Sequence, residues 1–233
     1  MSITQVQKVA VSSGAGHTQT QGITITGVTA GNTLVAVTGF QNSAGNNGTS
    51  ATLTSDSNGS WGAAKISVPS TNGPVTTGAA GWVLANANAG SHVLSFDYTA
   101  DEAFCFIEII EYTPCTYSTS ASAVTANNTS TTVSVVSGAL AGVGEMLVAC
   151  VSVTDAAGGT VAMGITDPPA GWTSVQAYQD EATNQPGQIS QLLAAVATSQ
   201  TATWSWTNTG SAAGVIVALA PPATPTATIA WVV

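Results

Sequence analysis

Two stretches of this 233-residue chain are copies of one plan, and a duplicated plan limits the fold more than any single residue does. Gly31-Asn32-Thr33-Leu34-Val35-Ala36-Val37 is answered about 110 positions later by Gly144-Glu145-Met146-Leu147-Val148-Ala149-Cys150. The order then repeats. Leu53-Thr54-Ser55-Asp56 before Trp61 is matched by Ile165-Thr166-Asp167 before Trp172, and Gly81-Trp82-Val83-Leu84-Ala85 by Gln191-Leu192-Leu193-Ala194-Ala195. Val93-Leu94-Ser95-Phe96 is matched by Thr203-Trp204-Ser205-Trp206, and each half closes on an apolar run, Phe104 to Tyr112 and Val215 to Ala220. A period of this size is a whole small domain, not a solenoid unit. The repeat predicts one domain over 1–114, a linker over 115–131, a second domain over 132–221 and an extended tail over 222–233.

Within each half the pattern is that of short strands. Apolar residues do not recur at helical spacing, β-branched residues dominate, and glycine punctuates the chain. The first half predicts strands at Gln5 to Val11, Ile23 to Thr26, Thr33 to Phe40, Ala51 to Ser55, Ala63 to Val68, Ala80 to Leu84, His92 to Tyr98 and Phe104 to Tyr112. That density is sandwich-like. The expected fold is all-β, two tandem antiparallel β-sandwich domains of jelly-roll or Ig-like type. Leu94, Phe96 and Tyr98 share one face of their strand, and Trp204 and Trp206 hold the corresponding side in the second half, so both sets are expected in cores. Trp61 and Trp172 occupy equivalent positions and are expected as packing plugs; Trp82, matched to Leu192 or Leu193, is expected in the core.

Charge is sparse. Lys8 and Lys65 are the only basic residues and charged residues make up 6% of the chain, against about 25% in an ordinary globular protein. The formal net charge is −9, so the chain lacks the cations that would neutralise a phosphate backbone or an anionic membrane. Neither nucleic acid nor membrane is expected as a partner, no apolar run is long enough for a spanning helix, and no secretory leader is read at the amino terminus. Cys105 and Cys150 fall in apolar runs as buried free thiols, and Cys115 lies just beyond the first domain.

No catalytic residue, metal site or cofactor is predicted. His17 and His92 are not at ligand spacing, and the acids Asp101 and Glu102, or Asp180 and Glu181, leave weak room for calcium. No Gly-x-Ser-x-Gly elbow occurs. Glu108 and Glu111 sit in one apolar run, where alternation puts them on opposite faces, so they do not form a facing acid and base. Glu108, on the face of Phe106 and Ile110, is read either as an edge-strand charge that blocks unwanted pairing or as a buried group paired with Lys65. The tail Thr228-Ile229-Ala230-Trp231-Val232-Val233 is apolar and strand-prone after a proline-containing stretch. It is expected either to fold back on its own domain or to anchor the chain in a neighbour through Ile229, Trp231, Val232 and Val233.

Asp167-Pro168-Pro169-Ala170-Gly171-Trp172-Thr173, after Gly144-Glu145-Met146-Leu147-Val148-Ala149 and before Ala202-Thr203-Trp204-Ser205-Trp206, resembles a β-sandwich module of bacteriophage virion proteins and some bacterial surface proteins. Gly31-Asn32-Thr33-Leu34-Val35 with Asp56-Ser57-Asn58-Gly59-Ser60-Trp61 is similar to a sister form of it. The resemblance implies a non-enzymatic virion structural protein, first a capsid decoration protein. Its partners would be other virion proteins and copies of itself, as dimers or trimers, and it would be assembled in the host cytoplasm without a signal peptide and displayed on the virion surface. The alternative is a glycan-binding adhesin or a tail-fibre receptor-binding module, with a host-surface glycan as partner.

Overall fold

A computed structural model describes residues 2–13, 18–42, 50–72, 75–155, 169–180 and 185–222. These residues form thirteen strands and no helix. The first half contributes β1 (Gln5–Ser12), β2 (Thr18–Val28), β3 (Thr33–Asn42), β4 (Ala51–Asp56), β5 (Ile66–Asn72), β6 (Val75–Leu84) and β7 (Gly90–Tyr112). The second contributes β8 (Thr116–Tyr117), β9 (Ala123–Val136), β10 (Met146–Asp155), β11 (Thr173–Asp180), β12 (Gln185–Leu193) and β13 (Thr201–Ala220).

All pairings are antiparallel, and each half makes its own sheet. The first runs β1-β7-β3-β6-β5, with β2 and β4 on the first half of β7; the second runs β11-β12-β10-β13-β8, with β9 also on β13. The ladders correspond. β3 lies between β7 and β6 as β10 lies between β13 and β12, and β5 flanks β6 as β11 flanks β12. Leu34 stands opposite Leu84, and Leu147 opposite Leu192. Trp82, opposite Ala36, therefore corresponds to Ser190, opposite Ala149, which corrects the match with Leu192 or Leu193 by two or three residues. The first stretch has one leucine, Leu84, and the ladders set it with Leu192, the first of the pair Leu192-Leu193, where the sequence match sets it with Ala194. In the second half the large ring comes from β13 instead: Trp204 is fully buried and its indole N–H donates to Gln188 of β12.

His92 to Tyr98 and Phe104 to Tyr112, expected as two strands, are the two ends of the single strand β7. Its first half pairs with β2 and β4, its second with β1 and β3. Leu94, Phe96 and Tyr98 from the first half join Cys105, Ile107 and Ile109 from the second in one apolar cluster with Trp61 and Trp82. Both ends of β7 can reach one cluster only if the sheet curls over on itself, as β-sandwiches do. β13 behaves alike, carrying Ala202, Trp204 and Trp206, then Ala212, Ile216 and Ala218, into a cluster with Leu147, Val151 and Trp172. The segment read as a linker over 115–131 contains β8 and the start of β9. Its Thr-rich composition suits a strand with one solvated face.

A third cluster lies between the sheets. Val35, Val37, Phe104, Phe106, Ile110 and Tyr112 of the first half pack on Met146, Val148, Cys150, Val215, Val217 and Leu219 of the second. Alternate residues of β7 and β13 thus enter different cores, so both faces are buried, and this is why those stretches read as unbroken apolar runs. The approach is close. A Cβ on Gly39 would stand 2.2 Å from the Phe106 ring and 2.9 Å from Ser152 Cβ, and one on Gly187 would stand 2.1 Å from the same ring. Tyr112 donates to Gln191 Oε1 at 2.8 Å, and the Ser70 and Ser211 hydroxyls meet at 2.7 Å across the junction.

Candidate functional site

A carboxylate on the second half of β7 is buried by position, because that strand is central and covered on both faces. Glu108 is wholly buried. It is not on an edge strand, so the edge-charge reading is wrong, and its cation is Lys8 and not Lys65, which is exposed. On β1, Ala10 stands opposite Glu108 and Lys8 opposite Ile110, which sets the lysine diagonally to the carboxylate. Lys8 Nζ lies 3.6 Å from Glu108 Oε1 and donates to the Val175 carbonyl of β11, so one side chain touches both halves of the chain. The Tyr178 ring stacks on Phe106 with centroids 4.4 Å apart and planes 20° apart. Its hydroxyl is buried near Glu108, and neither it nor either carboxyl oxygen has a hydrogen-bond partner among the described residues.

Burial pushes the Glu108 carboxyl up to about 7, against the lowering effect of Lys8 and Tyr178. Tyr178 and Cys150, both next to it, are pushed above their usual ranges by burial first and by the Glu108 charge second. Above this cluster, β1 and β11 border a cleft of about 440 Å³ lined by Ala10, Val11, Ser12, Gln176, Ala177 and Tyr178. The arrangement can hold or release a proton near neutrality at the junction of the sheets.

Glu111 has the opposite surroundings. Its Oε1 accepts from Asn32 Nδ2 at 2.6 Å and from the Thr29 amide at 2.9 Å, and its Oε2 accepts from Gln7 Nε2 at 2.6 Å. Burial pushes this carboxyl up, but the Thr29 amide, Gln7 and Asn32 outweigh it and hold the group below its usual range. It fastens β1 and the β2–β3 turn to β7, a structural duty.

A third polar cluster closes the loop after β4. Asp56 Oδ2 accepts from Trp61 Nε1 at 2.7 Å and lies 2.7 Å from His92 Nδ1, while its Oδ1 accepts from the Asn58 amide at 3.0 Å. An Asp–His pair becomes catalytic when the far ring nitrogen meets a nucleophile. Here His92 Nε2 faces the Asn88 carbonyl at 3.0 Å, so the pair staples two loops. A cleft of about 580 Å³ beside it is lined by Leu53, Asp56, Gly59 and Trp61 among others.

Trp61, Trp82, Trp172, Trp204 and Trp206 are all buried, and the indole N–H of Trp172 donates to the Thr201 carbonyl and that of Trp206 to the Ser130 carbonyl. None of these five offers an open stacking platform to a sugar. Cys105, Cys115 and Cys150 are free and buried. Among the described residues no three His, Cys, Asp or Glu side chains group as a metal site, and no helix is long and apolar enough to cross a membrane. Ile229, Trp231, Val232 and Val233, with His17 and Glu181, lie outside the described residues; Asp101, Glu102 and Asp180 lie in strands β7 and β11. Sequence reasoning found Glu108 but missed Lys8 and Tyr178. The signal available was that Lys8, one of two lysines, falls inside a predicted strand.

No protein-family model matches the chain, and a search of curated proteins found no match.

Proposed function

We propose that this chain is a non-enzymatic structural protein displayed on a phage particle, a capsid decoration protein first, built from two tandem β-sandwich units that descend from one duplicated module. The observation that carries the reading is the shared core. Two all-β units joined by a continuous apolar layer between Phe106 and Val217 make one stiff block, suited to bearing load on a shell. Its exterior is hydroxyl-rich and almost without cations, as befits contact with protein rather than with nucleic acid.

Association through one end is also favoured. Val143, Leu193 and Val196 are 65%, 44% and 51% exposed, and the Gly144 amide bonds the Ala194 carbonyl there at 2.8 Å. Pro221 lies against Gly144 at this same end, and the anchoring role falls to Ile229, Trp231, Val232 and Val233 further along the sequence. The test is removal of residues 226–233. Particle incorporation should fall by at least about tenfold while the melting temperature of the isolated chain stays within about 2 °C. A chain that never co-purifies with particles, or that binds an immobilised glycan saturably, would favour the adhesin reading instead.

A further inference from the structure

The two ends of the junction between the sheets occupy matching places in the two halves, yet they are built differently. Glu108 stands opposite Val37 on β3, and the residue in that place on β13, opposite Cys150, is Val215. Tyr178 stands opposite Gly187 on β12, and the residue in that place on β5, opposite Ala79, is Val68. Ala10 matches Val124 through the same ladders, which by count puts Ser122 in the place of Lys8. At the β5 and β9 end the junction is therefore apolar, packed and fastened by Ser70, whose hydroxyl donates to the Asn127 carbonyl at 3.0 Å. At the β1 and β11 end an ammonium, a carboxyl and a phenol replace those residues beneath an open cleft. Val215 and Val68 show that an uncharged version fits this framework, so packing alone does not call for the ionisable set.

We propose that Lys8, Glu108 and Tyr178 form a proton-operated latch that holds β1 to β11 when Glu108 is protonated and lets the cleft between them loosen when it ionises. Lys8 Nζ has two oxygen acceptors within reach, the Val175 carbonyl on β11 and Glu108 Oε1 at 3.6 Å. With Glu108 neutral the ammonium bonds the carbonyl and ties the two strands, and the buried carboxyl carries no charge to hydrate. With Glu108 ionised the ammonium is drawn to the carboxylate and away from β11, and the buried charge draws water in through the cleft. The groups that face Glu108 are Lys8 from β1, Tyr178 from β11, Cys150 from β10 and Tyr112 from β7 itself. Burial holds both phenols and the thiol neutral across the range concerned, and Glu108, raised to about 7, is the one that changes charge.

Hydrogen exchange followed by mass spectrometry on the full chain tests this, with rates corrected for the intrinsic pH dependence and β5 as the internal reference. Between pH 5.5 and 8.5 the protection of β11 relative to β5 should fall by about tenfold in the natural chain. In Glu108→Gln, which cannot ionise, it should stay within about twofold across that range. In Lys8→Gln, β11 should be as poorly protected at pH 5.5 as the natural chain is at pH 8.5. An unchanged β11-to-β5 ratio in the natural chain, or a full pH response in Glu108→Gln, overturns the latch. Should Glu108→Gln fail to fold, the natural chain and Lys8→Gln decide between these outcomes.

Discussion

Glu108 and Glu111 stand three positions apart on β7, which places one in the core between the sheets and the other against the β2–β3 turn. Three donors surround Glu111, whereas Glu108 has one ammonium and one phenol. Their pH dependences therefore carry opposite signs. Glu111, held below its usual value, contributes stability that is present above the unfolded carboxyl range and lost as pH falls through its lower folded value. Glu108, raised from 4.5 to about 7, contributes stability that is complete below 4.5 and lost as pH rises through about 7. Replacing Glu111 by Gln should destabilise the chain by about 1–3 kcal/mol at pH 7 in urea denaturation, and the deficit should shrink in acid. Equal deficits at pH 7 and pH 3 would contradict this account. That both glutamates lie on opposite faces was legible from alternation alone. Which cation would meet Glu108 was not, because Lys8 is a hundred positions away and only the β1–β7 register brings it alongside.

Among the elements, β7 and β13 organise everything else. Each is central, each serves two cores, and each approaches the opposite half where a glycine makes room. Gly187 on β12 is such a place, since any Cβ there would collide with the Phe106 ring. Gly187→Val should destabilise by about 1–3 kcal/mol and weaken the Phe106–Tyr178 stack, read as a lower denaturant midpoint and an altered near-ultraviolet circular dichroism signal. An unchanged midpoint would mean the sheets can separate cheaply. The outer edges are defended: the registers of β1, β4 and β11 slip at Gln5/Gln7, Leu53/Ser55 and Ser174/Gln176, and β5 carries Pro69. Such irregularities block further strands from pairing. Replacing Pro69 by Thr should raise concentration-dependent association in light scattering. Strand positions were largely readable from alternation and glycine spacing, but the fusion of two predicted strands into β7 was not, because the join at Thr99 to Ala103 is polar.

For the molecule as a whole, the decisive feature is that the two halves share a core. Units with separate cores would melt in separate steps, whereas a common apolar layer couples them. Calorimetry should give one transition with a calorimetric to van't Hoff enthalpy ratio near 1, and two resolved peaks would show that the layer between Phe106 and Val217 is weaker than its packing implies. The sequence by itself determined that this is an all-β chain, that its strands fall where hydrophobic residues alternate, and that matched strands recur in its two halves. Those are local properties, written in side-chain period and in turn residues. Only the tertiary structure decided that the halves stack on their matched sheets and that Lys8, Glu108 and Tyr178 meet at one open end of the junction. These depend on which face of one sheet meets which face of another, and apolar runs buried on both sides do not encode that choice.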